Sequence, residues 1–486
     1  MPSYANLLAI ALDDTLACQD PASAESRSRA GNYPPLGPFL SGGYPTTVAA
    51  LDAVAHIADR YRDNDFGLSV GASRDEWRMA VSRVMGERLD ELLHEPDART
   101  RWNMLRTHLK ERAAMLMLDL VHHVPVWLFV GQELEPFSIG PVTFLPRDRW
   151  PELVATRLGT EPAWRVPLMR LWTKRRVPKG PLIAGVKGVA RSVLAGGLNP
   201  STWRATFAFH RSAAEPRSVF DARSMVRFAH PDQWIACSHV VGFGRAESNR
   251  RGLLSVRVAL DTVRLVIAQG HRHLISTAAD SVVPFSVDGM SQSEGADVVR
   301  RWRNNRPGVT GGPKLAQQVL ASASDLFTAA GRCIAAATDA APTHECPGLA
   351  DRWFNACHWF GRACLDDADF TAIVMLVIAL DVLCGGLQDR GIVELTCRLH
   401  DVPASQHVLP GISLKALIEK MYKLRSEVAH GSVLALHEEL DVERSQLEGL
   451  AATAIAEYAV KLDLYARGGG ADDRDDFRDS LPPFRP

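Results

Sequence analysis

No uncharged apolar run in these 486 residues reaches the ~18 that a membrane-spanning helix needs. The first residues, MPSYANLLAIALDDTLAC, carry no basic start, and Asp13 and Asp14 fall where a signal peptide would stay apolar. They are expected to belong to the mature fold of a soluble, cytoplasmic protein with no membrane partner. The eight cysteines form no C-x-x-C pair, which argues against zinc ribbons and dithiol redox motifs. Six of the eight lie from Cys333 onward, where thiols in a reducing compartment act as small buried apolar groups. Gly242, Gly244 and the TGGPK segment lack the spacing and terminal Lys-Ser/Thr of a phosphate-binding loop, so nucleotide hydrolysis is not expected. The tandem His122 and His123, placed after an apolar helix, have no Cys or carboxylate at ligand spacing, and no metal or other cofactor is expected.

What the chain does have is uneven charge. The formal net charge of -1 conceals a middle segment, residues 161–310, with 23 Arg and Lys against 10 Asp and Glu, and an end, residues 331–486, with 15 against 24. Only the middle segment would draw a polyanion by charge alone. Within it, Lys174, Arg175, Arg176 and Lys179, and Arg300, Arg301 and Arg303 beside Trp302, suit an RNA backbone with an aromatic ring for a base, although a run of surface charge is also an ordinary solvated face. His271, Arg272 and His273 are read as a solvated loop in the same block.

Periodicity divides the chain into an α+β layout. Residues 1–121 repeat apolar positions three and four apart, in TTVAALDAVAHIADRYRD, in SRDEWRMAVSRVMGERLDELL and from Arg99 to Val121, so this region is expected to be mainly helical. Residues 122–310 are expected to be a mixed α/β basic region, a sensor or RNA-binding part. Strand signals there lie in VPVWLFVGQELEPFSIGPVTFLP, DQWIACSHVVGFGR and ISTAADSVVPFSVDGM. Residues 311–466 return to helix. FTAIVMLVIALDVLCGG is apolar nearly all round and belongs at the centre of a bundle, and LKALIEKMYKLRSEVAHG puts Leu414, Leu417, Met421, Leu424 and Val428 on one stripe. Residues 467–486 form an acidic tail with no apolar period, expected to be disordered.

An Arg followed closely by a His recurs throughout the chain: Arg101 with His108, Arg204 with His210, Arg223 with His230, Arg264 with His271, and Arg352 with His358. Arg425 and His430 differ in context. An amphipathic helix precedes them, Ser426 follows the Arg, Gly431 follows the His, and the apolar helix carrying Ala379, Leu380 and Asp381 lies upstream. Chemically the pair is sufficient for one reaction. RNA carries its own nucleophile, the 2'-hydroxyl, so cleavage to a 2',3'-cyclic phosphate needs a proton carrier and stabilisation of charge on the phosphate, and no metal. Imidazole supplies the first and a forked guanidinium the second. Residues five apart lie ~140° apart around an ideal helix, so Arg425 and His430 meet at one site only if the helix ends near Gly431 and frees His430 from the wheel.

The run from Ala379 through Asp381, then Tyr422, Arg425, Ser426, His430 and Gly431, resembles the core of the Apea-like HEPN family over about residues 350–465, with Asp381 where the family usually has Glu. The resemblance implies an all-α HEPN bundle and a metal-independent endoribonuclease working as a homodimer. In that reading Arg425 and His430 are catalytic, Asp381 orients Arg425, Ser426 adds a hydrogen bond and Tyr422 stacks on RNA or packs in the core. It also implies a toxin-like role in bacterial anti-phage defence by abortive infection, with tRNA the candidate substrate and a phage-derived trigger or regulatory protein as partner. Each assignment has a structural counterpart: Arg425 and Asp381 as a bundle-fixing ion pair, His430 as a helix cap. The alternative to the enzyme is a non-catalytic HEPN module that dimerises and binds RNA or nucleotide.

Overall fold

The computed structural model describes residues 3–19, 39–40, 44–45, 47–65, 71–131, 134–158, 165, 168, 187, 189, 228–230, 232–281, 286–291, 299–304, 307–311, 313–430 and 439–486. Among the described residues five helices come first: α1 (Tyr4–Gln19), α2 (Val48–Asp65), α3 (Arg74–Glu87), α4 (Leu89–His94) and α5 (Ala98–Leu116). Their starts follow from local chemistry. Ser73 Oγ accepts the Glu76 N–H and the Glu76 carboxylate accepts the Ser73 N–H, each at 3.2 Å, satisfying two amides that the first turn of α3 would otherwise leave open. Asp97 does the same for α5 by accepting the Thr100 N–H at 2.7 Å, and the bonds from Thr100 hold its carboxyl below the usual carboxylate range. The apolar faces close on a core of their own around Leu8, Leu12, Tyr61, Trp77 and Leu105, where the Trp77 indole donates to the Ala58 carbonyl at 2.8 Å.

Helix was expected to run to residue 121, but α5 stops at Leu116 and the chain enters β1 (Leu118–Trp127). From residue 118 the sequence is dense in branched and apolar side chains, and the strand is paired along most of its length, so sheet partners override the helical period. His122 and His123 therefore sit in mid-strand and not after a helix. Next come β2 (Phe137–Ile139), β3 (Val142–Pro146) and α6 (Trp150–Leu158). Beyond them β4 (Trp234–Phe243) leads through Gly244 into α7 (Arg245–Val266), and β5 (Ser276–Thr277) completes a five-stranded antiparallel sheet in the order β2-β3-β4-β1-β5.

The remaining α-helices among the described residues are α8 (Pro313–Ser322), α9 (Ser324–Thr338), α10 (Pro347–Leu365), α11 (Asp369–Cys384), α12 (Gln388–His400), α13 (Leu414–Ala429), α14 (Asp441–Arg467) and α15 (Arg474–Ser480). The fold is thus mixed α+β and mostly helical, with a small antiparallel sheet. α11 packs on α10, α12, α13 and α14, the central place its all-round apolar surface requires. α7 covers β1 and β4 with one side and meets α9, α10 and α14 with another. One buried core consequently runs from Phe144, Trp234 and Val263 to Trp353, Leu376 and Ile455, straight through the boundary expected at residue 310.

Two expectations are corrected in this half. Arg272 is not in a solvated loop. It lies in a short 3-10 helix (Gln269–Leu274), is buried, and its guanidinium meets Glu448 of α14 at 2.8 Å. Nor is the tail disordered. α15 seats Phe477 at 1% exposure against Tyr458 and Tyr465, and Asp472 accepts the Gly348 and Leu349 N–H groups at 2.8 and 2.9 Å, capping α10. A single aromatic anchor and a capping carboxylate order a stretch whose composition carries no period.

Candidate functional site

α13 is the helix on which the sequence places its chemistry. Ser413 caps it, its Oγ accepting the Ala416 N–H at 3.2 Å. Leu414, Leu417, Ile418 and Met421 are buried against the bundle, but farther along the same stripe Leu424 and Val428 are only half-buried. The helix therefore emerges from the core as it proceeds. Tyr422, Arg425 and Ser426 are half-buried at that emerging end, and His430 is exposed.

The helix ends at Ala429, and His430 is its C-cap residue with φ -94° and ψ 1°, donating its N–H to the Ser426 carbonyl at 3.0 Å. Gly431 lies outside the described residues. The imidazole thus sits where the helix stops, and its direction is not fixed by the helical wheel.

Charge on α13 is distributed selectively. Lys415 pairs with Glu419 at 3.7 Å, Lys420 with Glu443 at 3.1 Å and Lys423 with Glu427 at 3.5 Å. Arg425 has no ion pair or hydrogen bond among the described residues. Its guanidinium carbon lies 5.8 Å from the centre of the Tyr422 ring, and its Nε is enclosed with no acceptor. A guanidinium resting on an aromatic ring, with donors unused, is suited to an incoming phosphate. Burial pushes the Tyr422 hydroxyl up from its usual pKa, the Asp381 carboxylate adds to that rise, and Arg425 pulls against it. The three groups therefore share one electrostatic neighbourhood.

Asp381 does not hold Arg425 in this chain. Its Oδ1 accepts the Gln388 N–H at 3.0 Å, while its own carbonyl accepts the Gly386 N–H at 2.9 Å. Both bonds brace a tight turn from α11 to α12 in which Gly385, Gly386 and Gln388 have φ of 79°, 81° and 61°. Gln388 pays a local strain for that conformation, and the carboxylate of Asp381 is what fixes it. The neighbouring Cys384 thiol is pushed up to about 12 by burial, so it stays protonated and is no nucleophile. Sequence reasoning missed this role of Asp381 and missed α12 as a helix of its own. The available signal was the Gly385-Gly386 break followed by Ile392, Val393, Leu395 and Leu399 at helical spacing.

The basic candidates fall elsewhere. Lys174, Arg175, Arg176 and Lys179 lie outside the described residues. Arg300, Arg301 and Arg303 are on a strand, Val299–Asn304, paired antiparallel with Ser286–Ser291. His122 is tied by its Nε2 to Ser248 Oγ at 2.8 Å, and the His123 Nδ1 meets Cys237 Sγ and the Trp150 indole N–H, each at 3.1 Å. Among the described residues no group of three or more His, Cys, Asp or Glu could hold a metal ion, and no single helix is long and apolar enough to cross a membrane. No protein family, curated protein or solved structure compared with the chain matches it.

Proposed function

We propose that the chain is a metal-independent endoribonuclease of the HEPN type, with the α8–α14 bundle as its HEPN module and the end of α13 as its cutting site. The observation that carries this reading is the selective pairing on α13: three lysines neutralised, Arg425 left open over Tyr422, and an exposed His430 at the helix terminus one turn later.

In the reaction the 2'-oxygen of a ribose bonds to the adjacent phosphorus and the bond from phosphorus to the 5'-oxygen breaks, leaving a 2',3'-cyclic phosphate and a free 5'-hydroxyl. The 2'-proton leaves to a base as the 5'-oxygen gains one. His430 carries these protons, shared between two chains of a homodimer, and Arg425 binds the non-bridging oxygens as their charge grows. Ser426 donates a further hydrogen bond to the phosphate. Asp381 acts at a distance, by setting the α11–α12 turn beside Tyr422. The resemblance in the sequence extends the proposal to abortive infection, with tRNA as substrate and a phage-derived trigger acting on the N-terminal regions.

Purified protein incubated with total RNA in EDTA tests the reading. New fragments bearing cyclic phosphate are expected from the native chain and none from Arg425→Ala or His430→Ala. Undiminished cleavage by either variant overturns the catalytic assignment.

A further inference from the structure

The N-terminal helices carry a cleft that the proposed nuclease does not use. It lies between α2, α3 and the end of α5, reaches the first residue of β1 and the first of α7, and has a volume of about 870 Å³. Its apolar wall includes Leu51, Val54, Met79, Met115 and Leu116, and no aromatic ring among the described residues lines it. Around this opening stand the three most solvent-exposed large apolar side chains of the described residues. Met115 at 67% and Met79 at 64% line it, and Val48 at 66% is one turn before Leu51 on α2. Scattered single apolar residues are normal on a surface, but three clustered at one cleft mark a place that is covered in use.

The charged residues at the cleft are four arginines and one glutamate. The glutamate, Glu76, is already engaged: one oxygen accepts the Ser73 N–H and the other accepts the Ala246 N–H at 2.6 Å, so a single carboxylate caps both α3 and α7. Arg78 is bound to Asp59 and Arg112 to Glu87. Arg83 and Arg245 have no acceptor among the described residues, and both are exposed. An aliphatic trough with open guanidinium groups at its edge fits a ligand with a flexible apolar body and one negative end. The absence of aromatic rings among the described lining residues argues against a nucleobase, and with Ser82 the one uncharged polar side chain among them the cleft has little to offer a sugar or other hydrogen-bonding body. Methionines at the mouth adapt to a flexible chain better than branched residues would.

We infer that this cleft binds a free acyl carboxylate, its chain along Leu51, Met79 and Met115 and its head group at Arg83 and Arg245. The inference is independent of the nuclease reading, because its readout is binding. Titration of the full-length protein with dodecanoate below its micelle concentration, followed by calorimetry, is expected to give one saturable site. Dodecyltrimethylammonium, with the same chain and the opposite charge, is expected to bind at least about tenfold more weakly. The double variant Arg83→Glu, Arg245→Glu should lose dodecanoate binding by about the same factor. Met115→Glu should also lose it, whereas Met115→Leu keeps it, with unfolding temperature showing that each variant folds. Equal binding of the two surfactants, binding indifferent to the charge reversal, or capture only by anionic phospholipid vesicles or by an acidic amphipathic peptide would each overturn the assignment.

Discussion

The chain handles arginine in two opposite ways within one bundle. Between α7 and α14, Arg264 is bound to Asp261 and to the carbonyls of Arg272 and Ile275, and Arg272 is bound to Glu448, all four side chains being buried. At the end of α13, Arg425 has, among the described residues, only the face of Tyr422. A buried cation is tolerable only with a counter-charge or carbonyl acceptors in place, so the interior arginines are consumed by the architecture. On the proposed function, a half-buried cation without a counter-charge is held ready for one that arrives from outside. Residue type alone does not distinguish the two; the partner does.

Substitutions sharpen this contrast in graded steps. The largest effect belongs to the open pair: Arg425→Ala or His430→Ala is expected to slow RNA cleavage by about 10²–10⁴-fold. Unfolding free energy should change by no more than about 0.5 kcal/mol, since neither side chain anchors a partner. Denaturant unfolding read beside the cleavage rate checks both, and a large loss of stability would make Arg425 architectural after all.

Arg272→Met should do the reverse. It strands Glu448 in the interior at a cost of about 3–5 kcal/mol, most of which the double variant Arg272→Met, Glu448→Leu should restore. If the single variant were as stable as the native chain, the interior pairs would have no more structural weight than surface ones.

Asp261 gives the contrast a pH axis. Burial pushes its carboxyl up to about 7 despite the pull of Arg264, so the folded state keeps a proton that the unfolded chain releases near its ordinary value of 3.8. The contribution is therefore fully present at acid pH and is lost as pH rises from about 4 to about 7. Unfolding measured across that window should show a fall in the native chain that Asp261→Asn lacks; parallel curves would refute it. The smallest effect is at the start of α13, where Ser413→Ala removes one cap and should cost about 1 kcal/mol without altering cleavage chemistry.

Much of the helical plan was legible because it is periodic. α2, α3, α11 and α13 match stretches whose apolar spacing or all-round apolarity needs no partner to be seen. Three features were not. The switch from helix to strand at Leu118 depends on β4, more than a hundred residues away, and Phe477 orders the tail only because α14 offers it a seat. The third is the site itself. Arg425 and His430 stand out by context as candidates, but Asp381 reads equally as a partner for Arg425 and as a brace for its own turn, and only three-dimensional placement separates these. Long-range pairing leaves no local trace, so sequence reading fails at contacts before it fails at elements.

α7 belongs at once to the layer beneath the strands and to the group of helices that carries Arg425. A fragment starting at residue 311 would leave Val256, Leu260 and Val263 behind and open the sides of α9, α10 and α14 to water. Such a fragment should aggregate or stay molten. The proposed cutting site at the end of α13 would not detach from the remainder as a free-standing cassette, and swapping the front half of this protein for another would have to preserve one long helix in common.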